Sequence, residues 1–262
     1  MPDIYQIIHA QLSMMKEHLN LLSEKPLVIL VHPIGGKCHW YRHLSAALEK
    51  NFRLQQIESQ VANENISVQW LATKYCKKIP LSKPFYLIGW SFGAYIAFEM
   101  AYWLQQHNQS VEKLFLIDQP AIDYNPAVTI RDNKMEEFSK WYFSRVPDKK
   151  DVIFENEKNL AELKNLLLTA IDQEQFSLYL QHYHAWRTYQ PSGILNNEIE
   201  LIMANSSIPL HHENLRVIAD DFGWGRYCAK PINIYSLPGD HYSIFFQNNI
   251  NGLLNLFRMI MV

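Results

Sequence analysis

The chain has 262 residues, 48% of them hydrophobic and 19% charged, enough apolar material for one large buried core rather than two small ones. A formal charge of -2 and a pI near 6.6 exclude the net basic field that would hold a nucleic-acid backbone or an anionic membrane. Cys38, Cys76 and Cys228 are few, odd in number and widely spaced, which fits reduced thiols better than a disulfide framework and offers no metal site. The N-terminus carries Asp3 and lacks an uninterrupted apolar run, so it does not read as a signal peptide, and nothing approaches a membrane span. A soluble, cytoplasmic protein is expected.

Ile4, Ile7, Ile8, Leu12, Met15, Leu19 and Leu22 recur at spacings of three and four and predict an N-terminal helix over 1–24, ended by Pro26. It reads as a helix docked on the domain, or as a linker or docking element for a partner. Leu27–Val31 is an apolar run closed by His-Pro and two glycines, the pattern of a buried central strand. Helices are expected at 40–49, 67–78 and 92–106, and strands at 52–57, 85–88 and 114–117. The alternation predicts a mostly parallel sheet with helices on both faces. It stops from about 125 to 192, where several amphipathic helices are expected. Strands resume at 198–203 and 232–237, and a closing helix is expected over 243–260.

Gly89-Trp90-Ser91-Phe92-Gly93 lies between a predicted strand and a predicted helix, the context of a nucleophile elbow. Chance would produce the bare pattern roughly 0.02 times in a chain of this composition. Only nine glycines occur, and five of them, Gly35, Gly36, Gly89, Gly93 and Gly239, flank the proposed site. A serine hydroxyl is a poor nucleophile until a histidine takes its proton and a carboxylate fixes that histidine's tautomer. His241, in Pro-Gly-Asp-His after the last strand, is the best-placed base. His32 and His39 lie in the first-strand loop near the site and could shape it, while His211 and His212 read as surface residues. For the acid, the loop Ala204-Asn205-Ser206-Ser207 holds no carboxylate, whereas Asp118 directly follows its strand and gives the order Ser91, Asp118, His241. Asp123, Asp220, Asp221 and Asp240 are weaker candidates. The backbone N–H groups of Phe92, at a helix start, and of Ile34, beside two glycines, are the candidate donors for an oxyanion.

HPIGG at 32–36, GWSFGAYIAFEMA at 89–101, LFLID at 114–118, FGWGRY at 222–227 and PGDHYSIF at 238–245 together resemble the type I thioesterase domains of nonribosomal peptide synthetases and polyketide synthases. The resemblance covers most of the chain. It implies an α/β-hydrolase fold, with residues 125–192 as a helical lid inserted in a single domain spanning 1–262. It also implies Ser91, Asp118 and His241 as the catalytic set, with the acid after the strand that follows the nucleophile helix. Ala94 departs from the pattern, since many relatives carry glycine there. The implied activity is release of an acyl, polyketide or peptidyl chain from a phosphopantetheine thioester, on a carrier protein or CoA, by hydrolysis or cyclisation. No cofactor or metal is implied, since the substrate brings its own phosphopantetheine, and the protein would be part of a synthase or associated with one. Phe138, Trp141, Tyr142, Phe143, Phe176, Tyr179, Tyr183 and Trp186 in the lid read mainly as core, with a minority available to line an acyl channel. The competing readings are an oxygen-ester carboxylesterase or lipase with the same catalytic residues, and a catalytically silent scaffold.

Overall fold

A computed structural model of the chain describes residues 25–80, 85–121, 173–206, 220–246 and 248–261. The predicted N-terminal helix over 1–24 and most of the predicted lid, including Phe138, Trp141, Tyr142 and Phe143, lie outside the described residues, as do Asp123, His211 and His212. In chain order the strands are β1 (Leu27–Val31), β2 (Arg53–Ile57), β3 (Phe85–Trp90), β4 (Lys113–Ile117), β5 (Ile199–Ala204) and β6 (Asn233–Leu237). The described helices are α1 (Arg42–Leu48), α2 (Val68–Cys76), α3 (Phe92–Gln106), α4 (Gln173–Arg187) and α5 (Ile250–Ile260). All six described strands are parallel, in the order β2-β1-β3-β4-β5-β6.

The apolar runs behave as two-faced strands, because alternate side chains point to opposite sides of the sheet. Leu27, Ile29 and Val31 of β1, Phe85 and Leu87 of β3, and Leu114 and Leu116 of β4 join one core with α2, α3 and α4. Val28, Leu30, Tyr86, Ile88, Phe115 and Ile117 join a second core with α1 and α5. Central strands buried on both faces need no polar alternation, which is why they are legible only as short apolar runs. Ser67 caps α2 by accepting from the Trp70 N–H at 3.0 Å.

The closing helix is shorter than its apolar pattern suggests. Ser243–Phe245 form a 3-10 turn, Phe246 is extended at ψ 164°, and α5 begins only at Ile250. The carboxylate of Asp240 accepts the N–H groups of Tyr242 and Ser243, so the chain turns locally before the helix starts. That interruption holds His241 in a loop instead of on a helix face. The C-terminal edge of the parallel strands, where loops from several strands converge, is where such sheets bind ligands.

Candidate active site

Ser91 follows β3 directly and opens α3, in a left-handed conformation at φ 56° and ψ -133° that a non-glycine residue rarely adopts. The turn is tight enough that a Cβ on Gly89 would overlap the Gly93 carbonyl oxygen and come within 2.8 Å of the Ala94 Cα. Only glycine lets strand and helix meet this closely. Ala94 itself is fully buried in the core with α3, so the departure from the family's usual glycine is accommodated. The half-buried Ser91 is tied to the neighbouring strand, its N–H donating to the Ile117 carbonyl at 3.2 Å.

One residue beyond that carbonyl stands Asp118, also left-handed at φ 49°, a region that aspartate tolerates better than most residues. Its N–H donates to the Ile202 carbonyl at 2.7 Å, and its Oδ1 accepts the Ala204 N–H at 2.9 Å. Its Oδ2 lies 2.9 Å from Nδ1 of His241. Both side chains are buried, at 1% and 5% exposure, so the pair is shielded from competing water. With Nδ1–H donated to the carboxylate, Nε2 is left as the basic nitrogen. The imidazole packs against Trp90, the residue before the serine, with ring centroids 5.0 Å apart. Asp118 and His241 are thus brought into direct contact and Ser91 to the adjacent strand end. Among the described residues the Ser91 hydroxyl makes no hydrogen bond to His241.

The other acids have different work. Asp221 accepts the N–H groups of Gly223 and Gly225, and Asp240 caps the turn after His241. Asp220 is exposed. Asn205, at the position empty of a carboxylate, is bonded to Ser236. The FGWGRY segment buttresses the chain beside Asp118, since the Trp224 indole donates to the carbonyl of Gln119 at 2.7 Å. Trp224 is fully buried against Phe98 and Tyr95 of α3.

Phe92 holds the first N–H of α3, an orphan donor of the helix start. Ile34 sits in a turn in which the Gly36 N–H donates to the Pro33 carbonyl at 3.1 Å and Gly35 takes φ 90°. The loop is lined by residues that the sequence reading left unassigned or did not single out. His32 is fully buried: its Nδ1 is 2.8 Å from the Pro33 carbonyl and its Nε2 is 2.7 Å from the Tyr75 hydroxyl. A carbonyl only accepts, so Nδ1 carries the proton and the Tyr75 hydroxyl donates to Nε2. Burial lowers the His32 pKa to about 4. His182 of α4, also fully buried, lies parallel to His32 at 4.9 Å, and its Nδ1 accepts the Gly35 N–H at 3.2 Å. His39 starts the 3-10 turn over His39–Tyr41 and its ring packs on Trp40. His182 shares a stripe with Phe176, Tyr179, Tyr183 and Trp186, and a polar residue on an apolar stripe was the signal that could have found it.

Among the described residues no group of histidines, cysteines and acids is arranged to hold a metal, and no helix is long and apolar enough to cross a membrane. Cys38 and Cys76 are buried thiols whose pKa values burial pushes up to about 12.

Malpinin synthetase of Mortierella alpina is 29% identical over 124 residues, covering 45% of this chain and 2% of that protein. Indigoidine synthase of Streptomyces lavendulae is 24% identical over 201 residues, covering 71% of this chain and 15% of its own length. The chain therefore spans only a small part of these curated relatives. Among solved structures, a four-domain nonribosomal peptide synthetase bound to AMP and glycine matches 90% of this chain and 19% of its own at 25% identity, with a TM-score of 0.64. The NocB thioesterase domain in covalent complex with a fluorophosphonate nocardicin G analog matches 90% of this chain and 95% of its own at 20% identity, with a TM-score of 0.63. The thioesterase domain that cyclises surfactin matches 91% and 92% at 14% identity, with a TM-score of 0.61. At their low identities the latter two speak to the fold alone. The thioesterase domain family profile matches residues 26–260, and the chain belongs to that family, as a hydrolase of the α/β-hydrolase type.

Proposed function

We propose that the protein is a serine thioesterase that releases an acyl, polyketide or peptidyl chain from a phosphopantetheine thioester through an acyl-enzyme on Ser91. The observation that carries this reading is the buried Asp118–His241 hydrogen bond of 2.9 Å at the strand end beside a serine held at φ 56°. Asp118 holds the tautomer that keeps Nε2 basic. Nε2 takes the Ser91 proton as Oγ bonds to the thioester carbon, and the N–H groups of Ile34 and Phe92 stabilise the oxyanion. Collapse breaks the C–S bond, and the thiolate leaves with the proton from His241. Water, or a nucleophile within the acyl chain, then gives up its proton to His241 and attacks the ester carbon. The product is a free acid or a ring, and Ser91 recovers its proton.

The synthetase relatives support a carrier protein as the donor, with a CoA thioester as the simpler alternative, and support a place within a synthase or beside one. Oxygen-ester hydrolysis would use the same residues, and only the substrate distinguishes it. The test is intact-mass spectrometry with an acyl-pantetheine thioester, the Ser91→Ala variant and an oxyester control. An acyl adduct on wild-type protein alone, or thioester turnover with little oxyester cleavage, is the expected result. Labelling by the oxyester only would make the protein an esterase. An adduct on Ser91→Ala would remove Ser91 from the chemistry.

A further inference from the structure

We propose that His182 is a positioning residue of the oxyanion loop, its Nδ1 holding the Gly35 N–H and thereby the orientation of the Ile34 N–H toward substrate. This rests on the serine-hydrolase reading above and adds to it a residue from the segment between β4 and β5.

The Pro33 carbonyl and the Ile34 N–H share one rigid plane, so whatever fixes the oxygen also aims the N–H. That oxygen accepts twice, from the Gly36 N–H at 3.1 Å and from Nδ1–H of His32 at 2.8 Å. The next plane carries the Gly35 N–H, held by His182 at 3.2 Å, and the one after carries the Gly35 carbonyl, which accepts from Gln175 Nε2 at 2.9 Å. Three successive peptide planes are therefore each gripped by a side chain, and two of those side chains come from α4. The Tyr179 ring of α4 can pack this closely on the loop because Gly35 has no side chain: a Cβ there would lie 2.5 Å from it.

The His182 ring also reaches the other candidate donor. It packs against both the His32 ring and the Phe92 ring, at 4.9 Å and 5.1 Å, and Phe92 supplies the second N–H. Its remaining nitrogen, Nε2, is 3.2 Å from the Ser59 hydroxyl, so the imidazole is neutral with its proton on Nε2 and its lone pair on Nδ1. A leucine would fill the same space without the cost of burying a polar ring, so what the imidazole adds is the acceptor.

The test compares His182→Leu with His182→Asn, whose Oδ1 replaces the Nδ1 acceptor. In thioester turnover, His182→Leu is expected to lower kcat roughly tenfold to hundredfold with KM changed by less than about threefold, since an oxyanion interaction is gained only in the transition state. His182→Asn is expected to stay within about threefold of wild type. The rate of fluorophosphonate labelling of Ser91 should follow the same order without depending on the choice of acyl group. Equal kcat in wild type and His182→Leu, or equal losses in both variants with a matching fall in melting temperature, would overturn the positioning role while leaving the thioesterase reading intact. Folded wild-type protein that neither labels nor turns over thioesters would overturn both.

Discussion

The proposed nucleophile turn and the proposed oxyanion loop sit at the same edge of the sheet, yet they are specified in opposite ways. The turn is written in five consecutive residues: Gly89 lets the chain fold back on Gly93, and Ser91 takes φ 56° because strand and helix on either side leave it no other path. The loop from Pro33 to Gly36 is held from outside, by His32 next to it, by Tyr75 behind His32, and by Gln175 and His182 across 140 and 147 residues of sequence. A local device can be read from a motif. A device assembled from distant elements carries no motif, and its parts look like ordinary core residues until the fold brings them together.

Damage to the chemistry itself should give the largest effect. Asp118→Asn keeps a hydrogen-bonding group against His241 but reverses its polarity, so the imidazole is driven to the wrong tautomer. A fall in kcat on the order of 10⁴ is expected, with the fold unchanged by circular dichroism. A loss below about tenfold would mean that Asp118 only holds the Ala204 N–H, which its other oxygen accepts at 2.9 Å. Next comes Gly89→Ala, which puts a methyl group into the Gly93 carbonyl with no side chain able to yield. Destabilisation of more than about 4 kcal/mol is expected, read as insoluble protein or a collapse of the urea midpoint. A variant that melts like wild type would show that the turn can open and that the local device is less rigid than its geometry indicates.

Much of this was legible beforehand, and the exceptions share a cause. The parallel sheet followed from apolar runs alternating with helical patterns, and its strand bounds came within a residue or two. Asp118 was singled out because the loop at Asn205 lacks a carboxylate, and the structure sets its carboxylate 2.9 Å from His241. The closing helix is shorter than its pattern because Ile244 and Phe245 fit a helical stripe, while the turn that the Asp240 carboxylate makes with the Tyr242 and Ser243 N–H groups is a side-chain event invisible to periodicity. His182 is not legible in the sequence because a histidine among Phe176, Tyr179, Tyr183 and Trp186 reads as part of a helix face. Its meaning depends on which strand loop that face meets.

The smallest expected effect tests whether the loop's supports must stay uncharged. Burial holds the pKa of His32 at about 4 and that of His182 well below the ordinary 6.5, the neighbouring Pro33 carbonyl and Glu58 only partly opposing the shift in His32. A histidine depressed in the folded state binds its proton first in the unfolded chain, so stability is whole above pH 6.5 and falls as pH drops from there toward 4. His32 contributes a slope of about 1.4 kcal/mol per pH unit, or about 2 kcal/mol by pH 5, and His182 acts in the same direction. Glu99, raised by burial, works in the opposite direction near the lower end of that range, and Glu58, held low, adds to the loss once pH falls through the ordinary carboxylate value near 4.5. Urea unfolding at pH 7, 6 and 5 should therefore show a fall that is smaller in His182→Asn, which keeps the acceptor and removes one titrating ring. The same pH dependence in both proteins would mean that protonation is tolerated at this stack, and that the oxyanion loop is held by the backbone turn of Pro33 to Gly36 more than by the imidazoles behind it.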